Sequence, residues 1–212
     1  MIRGMKNRFG PTNEVGVFEM RDRGLVEVLN PSEYFLAERP EGSSGSVVVP
    51  SMEGTRPILV EIQSLVSPTN FGMPRRTAIG VDANRVSLLV AVLEKICGLR
   101  LGSHDVFINV AGGVRVSEPA VDLGIVSAMA SSFLDRTIDP GTVVFGEVGL
   151  TGEVRGIHQM ELRIREAERM GFTRCIHPRT SPREMGKFGK IRLVKIRNIR
   201  ELIENLFEGA RR

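Results

Sequence analysis

Apolar and polar positions alternate twice in "EVGVFEMRDRGLVEVLN" (residues 14–30), and the charged turn "RDRG" stands between the two runs. That pattern predicts a β-hairpin. "PSEYFLAER" follows as a short helix or loop, with Ser32 as its expected N-cap. Pro40 to Ser46, "PEGSSGS", is rich in Gly and Ser and reads as a linker. Two β-rich runs come next, "SVVVPSMEG" and "RPILVEIQSLVSP", joined as a hairpin through "EGTR". Val86 to Ile96 is apolar at helical spacing and stops at Gly98. "HDVFINVAGG" predicts a strand, Pro119 to Ser132 a helix, and "GTVVFGEVGLTGEVRGI" a further hairpin with a glycine-containing turn. "HQMELRIREAERMGF" is an amphipathic helix ended by Gly171. "RCIHP", a short helix near Pro182, "IRLVKI" and "NIRELIENLF" complete the order. Strands and helices alternate, so the expected class is α/β with mixed sheets and a buried helical layer. No internal repeat or low-complexity tract interrupts it.

At 212 residues the chain suits one sizeable domain with a smaller appended segment. The opening "MIRGMKNRFG" carries no apolar core of a secretory signal, and no run reaches the roughly 18 apolar residues that a bilayer demands. Cys97 and Cys175 both fall in apolar patterns and are expected as buried free thiols of a cytoplasmic protein. The net charge of +4 selects no partner by itself, but its distribution is uneven. Arg75 and Arg76 sit together in a predicted loop, "MPRRT", and Lys187 to Arg200 is a basic run. A solvated face is the plain reading of such runs. With one Tyr and no Trp, stacking of bases on aromatic rings is not expected as a binding mode.

The sequence holds no G-x-x-x-x-G-K-[ST] phosphate loop, no paired C-x-x-C and no H-E-x-x-H. His104, His158 and His177 are scattered, so no metal site is expected.

"NVAGGVRVSEPAVDLGIVSAMASS" and "GEVGLTGEVRGIHQMELRIREAERMGFTRCIHP" resemble the two active-site segments of the Lon family of serine–lysine peptidases. The resemblance runs through residues 47–207 and implies the Lon-peptidase fold, of the ribosomal protein S5 domain 2 type. In ungapped register, Ala120 stands where that family has its nucleophilic serine and Arg163 where it has its lysine. A dyad needs a hydroxyl to attack and a neutral amine to take its proton. Alanine supplies no nucleophile, and arginine stays protonated in proteins. Ser117 and Ser127 remain as other hydroxyls, each more readily a cap or turn residue. No peptidase activity is expected.

"KNRFGPTNEVGVFEM", "GLVEVLNPSEYFLAER", "EGTRPILVEIQSLVSPT", "GVDANRVSLLVAVLEK" and "NVAGGVRVSEPAVDL" resemble, in this order, segments of the bacterial RadA recombination family. The resemblance implies that residues 1–40 are the tail of a RecA-like ATPase domain, 41–46 a linker and 47–212 the Lon-like domain. It further implies a hexameric, ATP-driven motor that migrates DNA branches in recombinational repair. ATP, magnesium and zinc would belong to the longer protein, with no cofactor in this fragment. Lys6 and Arg8 of KNRFG would reach ATP across a subunit interface, where a cation stabilises charge on a transferring phosphoryl group. Implied partners are DNA, single-stranded or branched and bound without regard to sequence, other copies of the chain and a RecA-type recombinase. Arg75, Arg76 and Arg115 are the expected DNA contacts, on loops facing a ring channel. Two alternatives stay open: a divergent serine peptidase, and a purely structural oligomerisation scaffold.

Overall fold

The computed structural model describes residues 2–3, 15–22, 24–39, 42–69, 72–179 and 188–207. Lys6, Arg8 and the helix expected near Pro182 lie outside the described residues.

Two short strands, β1 (Ile2–Arg3) and β2 (Val15–Gly16), pair antiparallel. The first expected hairpin forms from β3 (Phe18–Arg21) and β4 (Gly24–Glu27). Helix α1 (Pro31–Leu36) starts with Pro31 in its first turn, where a missing N–H costs nothing. Its cap is Asn30, whose side chain accepts from Glu33 N, and not Ser32 as expected. Ser32 lies one residue inside the helix and is buried. Its hydroxyl donates to Glu166 at 2.5 Å and accepts from Leu59 N at 3.1 Å.

The main sheet has seven strands: β5 (Ser46–Glu53), β6 (Arg56–Pro68), β7 (Arg76–Ile79), β8 (His104–Val110), β9 (Thr142–Val144), β12 (Arg174–Pro178) and β13 (Arg192–Ile196). Their order is β13-β12-β9-β5-β6-β8-β7. The central β5–β6–β8 pairings are antiparallel and the flanking ones parallel. Separately, β10 (Glu147–Val148) and β11 (Val154–Arg155) make a small hairpin. The sequence pattern assigns Thr142–Val144 to that hairpin. It is instead a fully buried parallel strand, too short and too uniformly apolar to show alternation. Arg76, expected in a loop, opens the edge strand β7.

Strand alternation divides the core between two helical layers. Val47, Val49, Ile58, Val60 and Ile62 join the larger cluster, with α2 (Ala83–Val92), α3 (Asp122–Leu134) and α5 (Ile199–Phe207). Val48 and Leu59 face the other way, against Met160, Ile164 and Ala167 of α4 (Met160–Arg169). Each fully buried aliphatic side chain of these layers contributes about 1.5–3 kcal/mol. Helix α3 is buried from Asp122 to Ser131, as suits a helix apolar on every side. It lies so close to β5 that a Cβ on Gly124 would stand 2.2 Å from Val49 Cγ1. After α2 the chain widens into a single π-turn, Leu93–Cys97, and stops at Gly98, which takes the left-handed conformation. Cys175 is buried, which raises its thiol far above the ordinary range, and Cys97 is half-buried.

Candidate functional site

Residues 114–118 run extended, with Val114 and Val116 buried and Arg115 and Ser117 exposed. Pro119–Val121 then form one 3-10 turn that leads into α3. The turn is fixed from outside: Gly146 N donates to Ala120 O at 2.8 Å and Leu123 N to Gly146 O at 3.1 Å. Ala120 is 1% exposed.

Arg163 lies on the inward stripe of α4 beside Met160, Ile164 and Ala167, and is 2% exposed. Its Nη1 donates to Glu118 Oε1 at 2.8 Å and its Nη2 to Oε2 at 2.5 Å. Nη1 also reaches Pro50 O at 2.7 Å, and Nε donates to His158 O at 3.3 Å. Glu118 additionally accepts from Met52 N at 2.7 Å. The segment carrying Ala120 and the helix carrying Arg163 therefore meet through Glu118, a residue that the sequence pattern does not single out. The 45 positions separating it from Arg163 leave no local signal to show the pair. A buried guanidinium with its donors engaged on four oxygens is a structural clasp, held because unpaired charge is costly in the interior.

The two remaining hydroxyls are placed differently. Ser127 is fully buried and donates to Leu123 O, one turn back in α3, at 2.7 Å. Ser117 is exposed at the rim of a cleft of about 220 Å³, walled by Val81, Val116, Pro119, Val121 and Ile125. Arg85 and Asp122 line the same cleft as a pair: Arg85 Nε donates to Asp122 Oδ1 at 2.9 Å, and its Nη2 reaches Oδ2 and Val148 O. Burial pushes the Asp122 carboxyl upward, against the opposing pull of Arg85 and the Val148 N–H. None of the described groups that touch Ser117's cleft is a neutral amine or imidazole poised to take its proton.

The expected DNA contacts do not form one patch of equivalent groups. Arg75 makes a two-pronged contact with Asp105, at 3.1 and 2.9 Å, and its side chain is 60% exposed. Arg76 Nη1 donates to the carbonyls of Arg75 and His104, and its Nη2 to that of Leu101 at 3.0 Å. Arg115 is exposed and makes no hydrogen bond or ion pair among the described residues. The histidines stay apart: His104 packs edge-on against Phe133, His158 is exposed, and His177 is buried against Phe145. No group of three His, Cys, Asp or Glu among the described residues is arranged to hold a metal ion. Nor is any described helix long and apolar enough to cross a membrane.

No protein-family model matches the chain. Curated proteins do. The DNA repair protein RadA of Bacillus subtilis (strain 168) is 54% identical over 209 residues, covering 99% of this chain and 46% of that protein. The protein of the same name from Halalkalibacterium halodurans is 58% identical over 178 residues, 84% of this chain and 39% of its own length. That of Streptococcus pneumoniae is 48% identical over 207 residues, 98% of this chain and 49% of the relative. The chain spans about half the length of the curated relatives it matches, or less.

Proposed function

We propose that this chain is the Lon-like portion of a RadA-type DNA repair protein, a peptidase fold without peptidase chemistry that serves as an oligomeric platform and DNA-binding surface. Its kinship with proteins named DNA repair protein RadA supports the repair setting, at about half identity over nearly the whole chain. The single observation that carries the non-catalytic part is the clasp of Arg163 on Glu118. A base at this position would have to be neutral and free; the group present is cationic and engaged.

In the longer protein, the resemblance extends this reading to an ATP-driven hexamer that migrates DNA branches, with Lys6 and Arg8 acting across the subunit boundary. The domain would then supply head-to-tail contacts, which close into a ring when the rotation permits. DNA would be held through its phosphates, which carry no sequence information. Arg115 leads the three arginines expected there, because it alone of them keeps its whole guanidinium available among the described residues. Arg75 and Arg76 already spend donors on Asp105 and on backbone carbonyls.

Two assays on the chain test the reading. Incubation with casein and with a serine-reactive fluorophosphonate should give neither turnover nor labelling; labelling abolished by Ser117→Ala would establish a peptidase instead. Titration with a labelled oligonucleotide should show binding that weakens steeply with salt. Self-association without any such binding would favour a purely structural scaffold.

A further inference from the structure

The C-terminal turn of α5 gathers arginines that make no ion pair with a carboxylate among the described residues. Arg174 on β12 and Arg192 on β13 are register partners in a parallel pair, so their side chains leave the same face about 4.8 Å apart. Like charges set side by side on neighbouring strands repel. Arg174 Nη2 donates to Asn205 O at 2.7 Å, while its Nε is buried with no partner among the described residues. Arg136, from the loop after α3, donates to Phe207 O and lies over the Phe207 ring at 5.3 Å. Arg192 is exposed, and its guanidinium makes no hydrogen bond or ion pair among the described residues.

Asp139 is the carboxylate that acts on Arg174 through its charge, and its Oδ1 already accepts from Gly141 N at 2.8 Å and Thr142 Oγ1 at 3.4 Å. Burial and the neighbouring Arg192 hold Arg174 below the ordinary arginine range. Arg136 and Arg174 thus cap the end of α5, and Arg192 stands beside Arg174 on the neighbouring strand. The backbone carbonyls there take one N–H each from Arg136 and Arg174, out of the five that each guanidinium carries. Arg174 and Arg192 keep donors that no described residue takes, and their side-by-side charges repel.

We propose that Arg174 and Arg192 form a phosphate-binding subsite on the β12–β13 side of the sheet, beside the capped end of α5. Arginine forks match phosphate oxygens in pairs, and a dianionic or phosphodiester group relieves the repulsion between Arg174 and Arg192. The DNA-binding reading supplies one source of such phosphates, the nucleic-acid backbone, and the subsite rests on that reading for this source alone. A free phosphate has the same chemistry. The subsite lies on the opposite edge of the sheet from β7, where Arg75 and Arg76 stand.

The test compares the full chain with Arg192→Glu and Arg192→Gln, since Arg192 is exposed and caps nothing. Thermal unfolding is followed in sodium phosphate and in sodium chloride of equal ionic strength. Binding of labelled oligothymidylate is followed across a salt series. Arg192→Glu places a carboxylate beside Arg174, so it should raise the midpoint in chloride and abolish the extra stabilisation by phosphate. Its salt slope for DNA should fall by about 0.7 for the one lost phosphate contact. Arg192→Gln should lose the phosphate effect without the gain in chloride. If wild type binds no oligonucleotide but keeps a phosphate effect that Arg192→Glu removes, the subsite stands and the DNA source falls. An unchanged response to phosphate and an unchanged DNA salt slope in both variants would overturn the subsite.

Discussion

Both carboxylate oxygens of Glu118 accept from the guanidinium of Arg163, which is 2% exposed and bonded besides to Pro50 O. The pair joins the segment before α3 to the inward stripe of α4. Removing one partner strands a charge in the interior, which costs about 3–5 kcal/mol. Glu118→Ala should therefore lower stability by about that amount in urea titration. Arg163→Met removes the buried charge and leaves Glu118 to water, since its side chain is 24% exposed and keeps the Met52 N–H, so it should cost clearly less. Equal losses in the two variants would show that packing, and not charge, holds this contact.

On the proposed reading of a peptidase fold without its dyad, the same pair sets what is needed to build a peptidase here. Ala120→Ser supplies a hydroxyl and leaves a base that cannot deprotonate. Adding Arg163→Lys supplies an amine, but Glu118 beside it favours the charged ammonium. The double variant should remain inactive on casein and on fluorogenic peptides. Turnover by the double variant with Glu118 intact would rule out the clasp as the barrier.

His177 gives the fold an acid-sensitive element. Burial holds its imidazole below the ordinary value of 6.5, and its Nε2 has no partner among the described residues. As pH falls below 6.5, the unfolded chain takes the proton first, so stability is lost towards the depressed folded value. Stability should be flat above neutrality and fall as pH drops below 6.5, before most carboxylates titrate. His177→Gln should flatten that segment of the urea-midpoint profile. An unaltered profile would place the sensitivity elsewhere.

Gly124 marks the closest approach of α3 to the sheet, since a Cβ there would meet Val49 Cγ1 at 2.2 Å. Gly124→Ala gains helix propensity of roughly 1 kcal/mol and forces the layers apart. Overpacking should win, with a net loss of about 1–2 kcal/mol by thermal unfolding. A gain in stability would mean that Val49 yields freely.

Much of this fold is legible in the sequence wherever alternation or helical spacing runs long enough to be seen. The hairpin of β3 and β4, the β5–β6 pair and helices α2 to α5 follow from their patterns. Short buried strands do not show themselves. Thr142–Val144 is buried at all three positions, so it has no period, and Arg76–Ile79 is four residues long behind a proline and another arginine. Ser32 has the chemistry of a cap, yet Asn30 stands at the actual boundary and Pro31 fits the first turn. At the candidate site, Ala120 and Arg163 are singled out by the resemblance of their segments to a peptidase family. Glu118 is not, because an ion pair between a loop and a distant helix follows only from the packing of α4 on β5.

Sequence-independent phosphate binding is the centre of the proposed function, and the affinity of the chain for a labelled oligonucleotide as a function of salt tests it without intermediaries. A straight log–log plot is expected, with a slope of about −0.7 per phosphate held on a single strand, and similar affinities for unrelated sequences. Arg115→Ala should shift all of them alike and reduce the slope by about one contact. Absence of binding at the lowest salt, or an affinity that salt does not change, would refute the DNA-binding surface.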